Sequence, residues 1–221
     1  MLSVLTLSAP VRRRDRVYRV VTQLLSVVSL PVACAVAPRR ARLLACRWAL
    51  AVRFPAENLK GLTPATRAAF EAARTEALWY HGELIGLTDG HRDAHKQARL
   101  FSDAIRRTGS VHLALQRALP PNVSRHVTGT ALDVRPVEGA RWLELHGDRH
   151  HLYRIYDNEW WHFEYRPDGR PPRLPHPGAS MDSRTTETRT TETRTTETRP
   201  MDTRATETEA TGVCAARTDR P

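Results

Sequence analysis

The stretch SRHVTGTALD at residues 124–133, followed by EWWH at 159–162, decides how this chain is read. It places two histidines, one aspartate and one spare glutamate within 37 residues. A catalytic zinc ion takes three protein ligands, keeps a fourth position for water, and works with a carboxylate that moves protons. His126, Asp133 and His162 are the ligands this inventory implies, and Glu159 is the general base. The residues therefore read as those of a metallohydrolase.

The spacing also predicts local structure. Seven positions from His126 to Asp133 are too many for one helix face and suit a turn that leads into a strand. In a strand over 130–135, Ala131, Asp133 and Arg135 share one face, and Leu132 and Val134 enter the core. Ala131 is small and leaves room beside Asp133. In a strand over 160–165, His162 and Glu164 share a face, whereas Glu159, three positions from His162, would point away. Glu159 can meet His162 only from a loop or a bulge before the strand.

Outward from these blocks, Thr63-Pro64 reads as an N-cap and first helical position, and the helix runs to Tyr80 with Gly82 as its stop. Asp93 caps a second helix, which reaches Arg107 and is closed by Gly109; Ala94, Ala98, Phe101 and Ile105 mark its buried side. A shorter helix is expected over 111–119, ended by Pro120-Pro121, and another from Gly139 to His146, ended by Gly147. Strands are expected at 84–88, 130–135, 152–157 and 160–165. Helices first and short strands afterwards indicate an α+β fold.

Together the two blocks resemble the zinc D-alanyl-D-alanine carboxypeptidase family, the VanY-like enzymes with a hedgehog/DD-peptidase-like fold. That family's signature is Ser-x-His-x-x-Gly-x-Ala-x-Asp, then Glu-x-x-His with Trp before the His. Ser124, His126, Gly129, Ala131, Asp133, Glu159, Trp161 and His162 fill every position. Upstream, DGHR at 89–92 resembles the family's Ser-Gly-Tyr-Arg, with Asp89 in place of Ser and His91 in place of Tyr. The resemblance covers residues 57–166 and neither end of the chain. It implies a compact α+β domain with a small antiparallel sheet, one zinc ion, and peptidoglycan stem peptides as substrate. It implies removal of a terminal D-Ala, with Arg92 against the substrate's developing oxyanion and Ser124 holding its carboxylate. D,D-dipeptidase or endopeptidase action at the same site, and a non-hydrolytic zinc or wall-binding module, are the alternatives.

The formal charge of +10 suggests nucleic acid until it is divided along the chain. Residues 1–53 hold ten arginines and one aspartate, or +9; residues 54–180 carry +2 and residues 181–221 carry −1. The excess is N-terminal, which argues for targeting or a membrane surface rather than nucleic acid. A basic run at 12–19, a mostly apolar stretch from Val20 to Ala37, and small residues at 33–37 make a secretion signal, an uncleaved membrane anchor, or an over-long start. An extracytoplasmic location, at the cell wall, is the expectation. Three cysteines make no disulfide framework. Three domains follow: 1–53 basic and apolar, 54–180 the peptidase, and 181–221 a tail. In the tail Thr-Thr-Glu-Thr-Arg occurs three times over 185–199, with nothing to bury, so a disordered spacer is expected.

Overall fold

The computed structural model describes residues 13–179 and 181. The chain divides into two units, 1–182 and 183–221, and the described residues all lie in the first. The repeat tail and the basic residue Arg12 fall outside them.

The elements run α1 (Arg13–Val28), α2 (Leu30–Val36), a 3₁₀ turn (Pro38–Arg40), α3 (Ala41–Arg53) and α4 (Pro64–His81). Then come β1 (Gly86–Asp89), α5 (Ala94–Thr108), α6 (Val111–Leu115), β2 (Ala131–Arg135) and α7 (Val137–His146). A 3₁₀ turn at Gly147–His150 leads to β3 (Leu152–Arg154) and β4 (His162–Tyr165). The four strands form one antiparallel sheet in the order β1-β2-β4-β3. The fold class is α+β, with helices flanking a small antiparallel sheet.

Local chemistry explains the helix ends. The Thr63 hydroxyl accepts from the Thr66 amide, Pro64 takes the first turn, and Gly82 closes α4 in the left-handed region at φ 65°. Asp93 accepts from Lys96 N, and Gly109 closes α5 at φ 68°. Ser110 caps α6, which ends at Leu115 rather than near residue 119. The last helix begins at Val137, two residues earlier than Gly139, because Pro136 supplies its entry.

One face of the sheet carries Leu87, Leu132, Val134, Leu152 and Phe163 into a core with Phe70, Ala73 and Ala77 of α4 and Ala140 and Leu143 of α7. Buried beside it, Arg74 of α4 pairs with Glu57 at 3.0 Å, and Glu57 also accepts the Leu87 amide at 2.6 Å. That pair fixes the start of β1 against α4. The other face of the sheet carries the polar groups described below.

All four strands are shorter than expected: β1 runs 86–89 instead of 84–88, β2 starts at Ala131 instead of residue 130, and β3 and β4 lose more. β3 stops at Arg154 because Tyr156 leaves the sheet to bridge Leu174. β4 begins at His162, not at residue 160, because Trp160 and Trp161 form a turn. In the N-terminal segment, Cys46, Leu50 and Phe54 pack with Leu78 and Leu84, so α3 shares a cluster with α4.

Candidate metal centre

The pairing of β2 with β4 sets Asp133 directly opposite His162. Opposed residues of an antiparallel pair share a face, with Cβ atoms ~4.5–5.5 Å apart. Asp133 Oδ1 and His162 Nδ1 lie 3.0 Å apart. His126 reaches the same oxygen from the turn before β2, with Nε2 at 3.3 Å. All three are buried, and one ligand atom from each lies within 4.8 Å of the others.

The turn that delivers His126 is built by backbone contacts. Arg92 N donates to the His126 carbonyl, Gly129 N donates to the same carbonyl, and Thr130 N donates to Arg125 O. Gly129 sits at φ 70°, and a Cβ there would fall 2.2 Å from the Gly61 carbonyl oxygen. Thr63 N in turn donates to Gly129 O at 3.0 Å. The glycine therefore lets two backbones cross. The crossing ties the turn to the N-cap of α4.

Each histidine has its second nitrogen committed. His126 Nδ1 lies 2.6 Å from the Gly90 carbonyl, which can only accept, so Nδ1 carries the proton and Nε2 is left as donor to a metal. His162 Nε2 faces Glu164 Oε1 at 3.3 Å, which leaves Nδ1 as the donor. Glu164 is itself buried and bonded to Arg166. Two imidazoles and one carboxylate with outer partners holding the rings are a donor set that fits zinc.

Within the cluster the charges compensate one another. Burial opposes a charge on His162, but hydrogen bonds to Asp133 and Glu164 outweigh it and raise its pKa to about 10. Burial likewise works against an ionised Asp133, yet hydrogen bonds from His126 and His162 hold its carboxyl well below the usual range. Glu159 differs. Burial pushes it up to about 7, with His162 opposing the rise and Asp133 adding to it.

Glu159 lies in the loop before β4, off the strand, with its carboxylate 3.9 Å from His162 Nδ1. Strand parity requires that position. Arg154, which nothing in the motif marks, holds the loop: its guanidinium donates to the carbonyls of Tyr156, Asp157 and Glu159 and is anchored on Glu144 at 3.0 Å. Tyr156 closes the other side by stacking on the His162 ring, centroids 5.0 Å apart.

Arg92 donates to Asp133 Oδ2 at 2.6 Å and to Asp89 Oδ2 at 2.9 Å, and a third contact goes to Gln97 Oε1 at 3.3 Å. Gln97 is fully buried and bonded to the Leu119 carbonyl, so the guanidinium is fixed in orientation. Asp89 thus acts as the partner of Arg92. Ser124 is buried and lines the same cleft, of ≈130 Å³, with Arg92, Glu159 and Trp161. Arg117 and Arg125 also line it, and no pattern in the sequence distinguished them from other arginines. His126, Asp133, His162, Glu159, Arg92 and Ser124 thus all line one cleft. Alternation put Glu164 on the face of His162 but gave it no role, and Arg154 went unmarked because it is near the loop only through β3.

No family model matches the chain, and no curated protein matches it. Solved structures do. The LdcB LD-carboxypeptidase, whose structure concerns peptidoglycan recognition, is 21% identical over 57% of this chain and 72% of that one, with a TM-score of 0.41. VanYB in complex with D-alanine-D-alanine is 18% identical over 62% and 84%, at 0.43. A zinc-bound VanY D,D-pentapeptidase from a VanB-type resistance cassette is 23% identical over 47% and 69%, at 0.38. At such identities and scores, the chemistry has to come from this chain's own residues.

Proposed function

We propose that this chain is a zinc-dependent peptidoglycan peptidase, a D-alanyl-D-alanine carboxypeptidase that removes the terminal D-Ala of stem peptides outside the cytoplasm. One observation carries the reading: His126 Nε2, His162 Nδ1 and the Asp133 carboxylate converge with Glu159 beside them at a cleft.

His126, Asp133 and His162 would hold the ion, with Gly90 and Glu164 orienting the two rings. A bound zinc ion supplies Lewis-acid polarisation of the scissile carbonyl and lowers the pKa of water to about 7. Glu159 takes the proton of the attacking water and returns it to the departing amine. Its loop position lets the carboxylate face the ligand cluster, and the Arg154 clamp keeps it there. Arg92, held by Asp89, Asp133 and Gln97, is a preoriented cation for the charge that develops on the carbonyl oxygen. Ser124 holds the substrate's terminal carboxylate, and Arg117 and Arg125 make the cleft attractive to an anionic peptide end.

The test is product release from a synthetic stem pentapeptide, with and without chelator. Free D-Ala, lost on chelation and restored by zinc, is the expected result. Release of a D-Ala-D-Ala dipeptide, or an internal cut, would reassign the bond. No product from zinc-loaded protein would overturn the peptidase reading in favour of a binding module.

A further inference from the structure

Helix α1 is folded inside out. Val17, Val20, Val21, Leu24, Val27 and Val28 recur at helical period, and this face is left in solvent, each residue 51–73% exposed. The face turned to the protein is polar. Thr22 and Ser26 are buried, with hydroxyls bonded back to the Tyr18 and Gln23 carbonyls. Arg19 pairs with Glu83, just past α4, and Arg53 of α3 lies 4.3 Å over the Tyr18 ring. A helix that serves a soluble core does the reverse. Scattered exposed apolar residues need no explanation, but a contiguous row does.

The row continues onto α2 through exposed Val32 and Val36. Basic groups stand at both ends of it: Arg14 and Arg16 on α1, Arg39 and Arg40 after α2, all exposed. Asp15 is the one acid between residues 13 and 53. A groove of ≈920 Å³ bordered by α2 and α4 is lined by Leu30, Arg39, Arg40, Arg42, Trp79 and Tyr80. Arginine with tryptophan and tyrosine is the composition of a membrane interface.

We propose that α1 and α2 lie in the plane of an anionic phospholipid bilayer, with the valine face in the acyl boundary and the arginines at the phosphates. Among the described residues no single helix is long and apolar enough to cross a membrane, and the pair that qualifies together is bent by 43°. The polar face is moreover fastened to α3 and Glu83, which favours lying flat over spanning. A second copy as the occupant would bring the arginine clusters of two chains together, at a cost in repulsion.

Co-sedimentation of the full chain with vesicles tests this. Vesicles of equal parts phosphatidylglycerol and phosphatidylcholine should bind it, with affinity that falls as salt rises; phosphatidylcholine alone should bind it far less. The double substitution Val21→Asp with Leu24→Asp should weaken binding by about tenfold or more. Leu145→Asp, at a still more exposed residue on α7, should leave it unchanged. Unaltered circular dichroism in both variants separates docking from folding. Equal binding by the double variant, no binding to either vesicle, or equal binding to both vesicle types would overturn the proposal. So would resistance to alkaline carbonate extraction, which means spanning. A dimer that the double variant dissolves, without vesicle binding, would assign the face to a second copy.

Discussion

The ligand-bearing face of the sheet and helix α1 both depart from the usual division of apolar inside and polar outside, in opposite senses. Asp133, His162 and Glu164 on the sheet and His126 in the turn before β2 are buried, each satisfied by another group of the cluster or by backbone. On α1 the buried hydroxyls satisfy themselves on their own helix, and the valines face solvent. Buried polar groups are tolerable only when paired, and a pairing that removes one member exposes the full cost. An exposed apolar row carries no such local penalty, and the occupant proposed for it is external to the chain. The two departures therefore predict different sensitivities to substitution.

The largest effect belongs to Asp133→Ala. It removes a ligand and leaves the buried His162 and the half-buried Arg92 without their common carboxylate, with only Asp89 still paired to Arg92, so zinc binding and D-Ala release should fall to background. The metal-free protein should lose about 3–5 kcal/mol of stability in denaturant titration, as expected for breaking a buried ion pair. A variant that still binds zinc stoichiometrically would remove Asp133 from the ligand set.

Glu159→Gln should spare the metal and lower turnover by roughly 10²–10⁴-fold, the usual contribution of a general base. Metal analysis beside steady-state rates checks both halves, and full turnover in the amide variant would exclude the role given to Glu159. Glu164→Gln is milder. The amide keeps the shape but loses the charge that orients His162, so zinc affinity in a competitive chelator titration should drop about 10–100-fold. An unchanged affinity would make Glu164 a packing residue only. Smallest of all, Val20→Ser on the exposed face of α1 should shift stability by no more than about 0.5 kcal/mol. A larger loss in thermal unfolding would mean that this face is covered within the protein, and the contrast with the sheet would collapse.

Much of the fold was legible because its signals are local. Thr63-Pro64 with Gly82, and Asp93 with Gly109, delimit α4 and α5 by capping that acts within one turn. The α+β class followed from the order of such segments. Strand ends were less legible: Tyr156 leaves the sheet for Leu174, eighteen positions on, and no local rule foretells a partner that distant. The position of Glu159 off β4 could be argued from alternation of side chains alone. What holds it there, the Arg154 guanidinium on three carbonyls, could not.

By itself, then, the sequence determined the cluster's membership and the local elements, because residue type, caps and side-chain period act over a few positions. Only the tertiary structure decided which nitrogen of each histidine faces the cluster, why Gly129 must lack a Cβ, and which way α1 turns. Those outcomes depend on Gly90, Gly61 and Glu83, remote in the chain, and close packing settles them one against another.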